Sequence, residues 1–328
     1  MSTARLIPET WELTGDDARV TLRRCGRRRL LVDAFQRLRW SDGFSHARSM
    51  GFMLALAAVQ GMIALVGLAS AFGNSGISDV MVRSIRGAAP GPVTDLLTAT
   101  VTQATRTGAE HHYLGLLFGT LGWLITATTA MGQLERGLNR IYGVEKDRPA
   151  LQKYGLGLLL AVSVGALLTL SVGLIAFGRS VSHTIDSPAW ARVWDVATWP
   201  VGLLLTLAGM ALLFRWCPRR RQPAWSWLAF GSAIAVVLWV AVTVLLGVFF
   251  AHSASFGQTY GPLAGMVALL LWALLSSIAV FYGGAVAAQL EAVRAEAGAP
   301  PQDQEKVEAS EPEARPPTAD REVTHVPA

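Results

Sequence analysis

The sequence predicts an all-α polytopic membrane protein. Its core is a bundle of six transmembrane helices, with an N-terminal amphipathic interfacial helix and short outer-loop helices. Composition points there first. Of 328 residues, 52% are hydrophobic and only 16% are charged, where a soluble domain carries about 25% charged. The distribution of charge is the stronger sign. No Asp, Glu, Lys or Arg occurs from Gln222 to Leu290, a run of 69 residues. Similar gaps separate Arg48 from Asp79, Glu110 from Glu135, Lys153 from Arg179 and Asp195 from Arg215. Each is near or above the ~20 residues a helix needs to cross a bilayer core.

The 69-residue run cannot be one helix. At 1.5 Å per residue it would be about 100 Å long, against a hydrocarbon core of ~30 Å. It must turn once. Turn chemistry occurs at FGQTYGPLAG, residues 256–265, where Gly257 and Gly261 relax the backbone. Thr259 and Tyr260 precede Pro262, which suits the first turn of a new helix. The sequence therefore places a hairpin there between spans at about 225–251 and 262–289. The remaining spans fall near 49–72, 113–134, 154–178 and 196–214.

Lys and Arg number 23 in the segments on one side of this topology and 5 on the other. Positive charge stays inside, so both termini are expected in the cytoplasm. Residues 1–29 read as a basic cytoplasmic arm, with Arg23, Arg24, Arg27, Arg28 and Arg29 clustered at its end. The membrane domain covers 30–293 and a disordered acidic cytoplasmic tail covers 294–328. Leu31, Ala34, Phe35 and Leu38 then recur at helical spacing, with Asp33, Gln36 and Arg37 between them. An amphipathic helix beside arginines favours the anionic inner leaflet as partner. Nucleic acid is not expected, because no aromatic platform interleaves the arginines. In the outer loop 73–112, Val93, Leu96, Leu97, Thr100, Val101 and Ala104 mark one helical face. Helices there should lie on the bundle surface or dip into it.

Small residues recur within the spans. Gly115 and Gly119 form a GxxxG followed by Gly122, Gly165 lies in the third span, and Gly261 and Gly265 form a second GxxxG. Small residues allow close helix approach in lipid, and the same faces can line a groove. No carboxylate, Lys or Arg falls at the centre of a span, which disfavours an ion-coupled pump. Arg136, Asn139 and Arg140 follow the second span and are candidates for contact with lipid headgroups. His111, His112, His183 and His252 fall on the outer side but show no metal-ligand spacing. No catalytic set is evident, so neither an enzyme nor a cofactor is expected. Cys25 and Cys217 both fall on the inner side, which makes a disulfide unlike this compartment.

Two stretches resemble the YihY/BrkB family of membrane proteins. Gly137-Leu-Asn-Arg-Ile-Tyr-Gly-Val144 is similar to that family's LNRI-[WY]-GV element. Thr259 to Gly265, then Leu270-Leu-Trp272 and Gly284-Ala285, are similar to its TYG-x-L…LLW…GAEL block, with Val286 where the family often has Glu. The pattern is nearest the YhjD-like branch. The resemblance implies an inner-membrane protein of envelope integrity with a part in lipid handling. The family's former ribonuclease BN label finds no metal-binding carboxylates here. Two functions follow as expectations: transporting or positioning a lipid or other amphiphile, or a non-transporting scaffold that recruits partners through its cytoplasmic tails.

Overall fold

The computed structural model describes residues 6–71, 91–182, 187–252 and 262–297. It contains eight helices among those residues: α1 (Gly15–Cys25), α2 (Arg27–Trp40), α3 (Gly43–Ala71), α4 (Gly91–Ile141), α5 (Ala150–Ser182), α6 (Pro188–Trp216), α7 (Trp225–His252) and α8 (Pro262–Arg294). Six are long and apolar enough to span a bilayer: Gly43–Leu68, Gly115–Ile141, Ala150–Ser171, Ala189–Trp216, Trp225–His252 and Leu263–Arg294. All six coincide with the charge gaps. Residues 253–261, with Gly261, Thr259 and Tyr260 of the expected hairpin, lie outside the described residues, while Pro262 is the first residue of α8. The tail beyond Ala297 also lies outside them.

Consecutive helices pair: α3 with α4, α5 with α6, and α7 with α8. α8 packs in addition on α2, α3 and α4, which makes it the axis of the bundle. Its charge-free small residues permit this. A Cβ at Gly283 would lie 2.6 Å from the Gly231 carbonyl of α7, so the two backbones are in contact there. The starts of α3, α5 and α7 and the ends of α4, α6 and α8 lie at one arginine-rich face, called the charged end below.

The outer loop differs from expectation. Residues 91–114 form no separate short helix but run into the second span as one helix of 51 residues. That helix is bent. Straight, it would carry Pro92 about 73 Å from Ile141. Yet the Pro92 carbonyl lies 3.0 Å from where a Gly265 Cβ would sit, Leu138 Cδ2 lies 2.5 Å from where a Gly284 Cβ would sit, and Gly265 is only about 29 Å along α8 from Gly284. The first turns of α4 therefore double back beside the bundle, and bends of this size need a local break. Val93, Leu97 and Val101 are buried on the face foreseen from their spacing, in one cluster with Val66, Leu246, Leu269 and Ala273. The helix dips into the bundle because that face has apolar partners there.

The N-terminal arm is not a separate appendage. Ile7, Leu13 and Ala18 are buried in the main core cluster. Thr14 caps α1 with Asp17 in a capping box, and Gly26, at φ 83°, breaks α1 from α2. On α2 the buried face is Leu30, Ala34, Arg37 and Leu38, whereas Leu31 and Phe35 are exposed. The expected apolar stripe is thus rotated. Arg37 turns inward because its guanidinium finds acceptors there: Nε donates to Gln289 Oε1 at 2.7 Å and Nη1 to the Ile141 carbonyl at 3.3 Å. Burial lowers its pKa to about 10, so it stays charged at neutral pH.

Candidate functional site

A cavity of about 660 Å³ lies inside the bundle and touches every span. Met50 of α3, Trp123 of α4, Ala161 of α5, Met210 of α6, Trp239 of α7 and Ser276 of α8 line it. Its size falls within the ~300–1,000 Å³ of small-molecule sites. On α4 the lining runs from Met131 to Trp123, about 15 to 27 Å from the helix end at Ile141. That depth lies well inside a ~30 Å hydrocarbon core. The wall carries no charged residue. Small residues (Ala57, Ala161, Ala273) open the space, and flexible methionines and three indoles, Trp123, Trp239 and Trp272, shape it.

Polar groups near the cavity are largely tied. Thr126 Oγ1 donates to Gln60 Oε1 at 2.7 Å, Trp272 Nε1 donates to Thr243 Oγ1 at 3.0 Å, and Ser171 and Thr206 hydroxyls meet at 3.0 Å. Ser276 differs: it lines the cavity, and its buried hydroxyl has no partner among the described residues. The cavity is also open sideways. Val162, Ala166 and Thr169 recur at i, i+4 and i+7 on α5, line the cavity and remain exposed.

The glycines foreseen as packing or groove residues divide. A Cβ at Gly119 would lie 2.6 Å from the Ala64 amide nitrogen, so α3 and α4 touch there. A Cβ at Gly122 would meet the Gln60 carboxamide at 3.0 Å, and one at Gly265 would meet Leu96 Cβ at 2.8 Å. Gly165 lines the cavity, 3.3 Å from Trp123 Cζ2 by the same construction. Among the described residues Gly115 meets nothing within 4 Å, so the first glycine of that GxxxG makes no helix contact with them. Gly261 lies outside the described residues.

At the charged end the two loops 142–149 and 217–224 are joined by a polar clasp. Asn139, a candidate for headgroup contact, is instead fully buried. Its Nδ2 donates to Asp147 Oδ1 at 3.0 Å and its Oδ1 accepts the Arg219 amide at 2.8 Å. A carboxamide at a helix end satisfies two loop groups at once, which explains its withdrawal from lipid. Arg136 is partly exposed and pairs with Asp147 at 3.2 Å, while Arg140 is half-buried. Arg148 donates to the carbonyls of Trp216, Cys217 and Pro218 at 3.2, 2.6 and 2.9 Å, which caps α6. Gly143, at φ 75°, ends α4, with the Val144 amide donating back to the Asn139 carbonyl at 2.8 Å. This gives the glycine of the Ile-Tyr-Gly-Val stretch its physical role. Burial would raise the Asp147 pKa, but hydrogen bonds from Lys153, Asn139 and Arg136 and the Lys153 charge bring it down to about 2.

Deeper in the same end, Arg220 Nη2 donates to the Pro8 carbonyl at 2.7 Å, and its guanidinium lies 4.6 Å from the Tyr142 ring centroid. Burial raises the Tyr142 pKa. The Thr10 hydroxyl donates to Glu291. Sequence reasoning missed this cluster. Its one signal was Glu291, a lone acid directly after the charge-free run.

Among the described residues no group of three or more His, Cys, Asp or Glu side chains is placed to hold a metal. His111, His112 and His183 lie outside the residues with described side chains, and His252 Nδ1 lies 2.9 Å from the Val248 carbonyl.

The family model described as Virulence factor BrkB matches residues 34–308, most of the chain and all six spans. The chain belongs to the virulence factor BrkB family. Among curated relatives, this BrkB-family chain is 26% identical over 54% of its length to a Bacillus subtilis protein, YfkH, whose name calls it ribonuclease-like. It is 28% identical over 52% of its length to a UPF0761 membrane protein of Rhodospirillum rubrum, and 25% over 54% to one of Halorhodospira halophila. The aligned stretch spans 66% of YfkH and 39% of each of the other two. No solved structure matches this BrkB-family chain.

Proposed function

We propose that this BrkB-family protein transports or positions a lipid or other amphiphile within a bacterial inner membrane, and that it supports envelope integrity in this way. The observation that carries the reading is the cavity at bilayer depth, walled by all six spans and free of charge. An ion pathway needs charged or strongly polar lining. A hydrocarbon group needs the reverse. The bias of Lys and Arg toward the charged end supports cytoplasmic termini. The same bias supports the anionic inner leaflet as a partner, with the exposed Leu31, Val32 and Phe35 of α2 beside Arg27, Arg28 and Arg29. The protein acts without catalysis, cofactor or nucleic acid in this reading. A non-transporting scaffold needs no cavity, and its basic arm is here bound into the bundle, so we rank it second.

The test is leaflet exchange of labelled phospholipid in vesicles containing the full chain. Exchange above the protein-free rate, abolished by the cavity-filling Ala161→Phe, is expected. Equal rates with and without protein would exclude transport.

A further inference from the structure

We propose that Trp123 is a side gate, through which a single hydrocarbon chain of a bilayer lipid enters the cavity while its headgroup stays outside. This rests on the lipid-handling reading and names the part of the substrate that the site takes.

The indole of Trp123 bridges two helices other than its own. A Cβ at Gly61 of α3 would lie 3.0 Å from Trp123 Cδ1, and one at Gly165 of α5 would lie 3.3 Å from Cζ2. Opposite edges of the ring thus rest on bare backbone, and a methyl at either glycine would crowd the ring. All three residues line the cavity. Gly165 sits within the stretch of α5 whose Val162, Ala166 and Thr169 line the cavity and remain exposed. The ring therefore stands at the sideways opening. It is only half-buried, so one face is available to an arriving chain.

The cavity's chemistry selects the occupant. Its volume of about 660 Å³ corresponds to roughly twenty water-sized groups at about 30 Å³ each, the scale of one long alkyl chain. A phosphate or ammonium group would meet no counter-charge on this wall and would be costly to bury. The unpartnered Ser276 hydroxyl offers a single hydrogen bond, enough for one ester or hydroxyl oxygen. The Arg148 and Asn139 clasp ties the loops together at the charged end, and the exposed lining of α5 offers a route from the side.

The test uses the full chain in vesicles of phosphatidylethanolamine and phosphatidylglycerol. A trace phospholipid carries a photoactivatable diazirine at its chain terminus, and adducts are mapped by peptide mass spectrometry. Adducts on Met50, Met131 or Met210 are expected. They should rise several-fold with Trp123→Ala, stay near wild type with Trp123→Phe, and vanish with Ala161→Phe. Ala57→Leu, which narrows the cavity from another helix, should lower them and serves if Ala161→Phe does not fold. Adducts confined to outward-facing residues such as Phe118 and Ile125, or unchanged by Trp123→Ala, would overturn the gate. Lipid exchange without internal adducts would refute the gate and leave transport standing. Internal adducts without exchange would uphold the gate and refute transport.

Discussion

Arg220 Nη2 donates to Glu291 Oε1 at 2.6 Å, and the side chains are 2% and 0% exposed. The pair joins the loop after α6 to the last turn of α8. Removing one partner leaves the other charge buried, which costs about 3–5 kcal/mol. Arg220→Met and Glu291→Leu should each lower the melting temperature markedly in detergent, and the double variant should recover much of the loss. Additive losses in the double variant would show that the two side chains do not act as a pair.

Asn139→Ala removes hydrogen bonds to Asp147 and to the Arg219 amide. A buried group left unpaired costs about 1–3 kcal/mol, so thermal stability should fall by that order. Affinity for vesicles of anionic lipid should not change. Weakened vesicle binding at unchanged stability would return Asn139 to a headgroup role.

The two glycines of Gly115–Gly119 should behave oppositely. Gly119→Ala drives a methyl against the Ala64 backbone and should cost about 1–3 kcal/mol through overpacking. Gly115→Ala meets none of the described residues and should be neutral or stabilising by up to about 1 kcal/mol, from helix propensity alone. Equal losses at both sites, read by thermal unfolding, would contradict the observed α3–α4 contact.

Asp147 makes the clasp sensitive to acid. Its folded pKa, about 2, lies below the ordinary 3.8. Its contribution is therefore complete above pH about 4 and is lost as pH falls through about 2. Melting temperature followed from pH 5 to pH 2 should decline across that window. Asp147→Asn should be less stable at pH 5 and should flatten the decline.

Cys217 is buried, and burial raises its thiol pKa. Cys25 is partly exposed, with its pKa raised by burial and by Asp33. A maleimide reagent should label Cys25 in the folded protein and Cys217 only on unfolding. Fast labelling of Cys217 under native conditions would mean that the loop after α6 opens readily.

The six spans were legible because hydrocarbon excludes charge over whole segments, a rule that needs no partner to be known. The buried face of Val93, Leu97 and Val101 was legible from its period. Its continuity with the second span was not, because bending depends on what the face packs against. Arg37 was misread for a similar reason. Charge predicts exposure, and only the placement of Gln289 and the Ile141 carbonyl makes an inward arginine affordable. Leu6, Ile7, Trp11 and Leu13 follow no sustained helical or alternating period, so the burial of Ile7 and Leu13 left no periodic trace. Gly165 reads as one small residue of a membrane helix among several, and nothing in the sequence singles out Gly61 beside it. Their common neighbour Trp123 appears only when three helices are assembled.

The contact of Thr10 with Glu291 spans 281 positions of the chain. The segment before α1 thus waits for α8 before this contact can form. Synthesis must deliver the sixth span before Thr10 meets Glu291, and a nascent chain halted before α8 would hold Ile7 and Leu13 only by their backbone bonds to Tyr142 and Ala224.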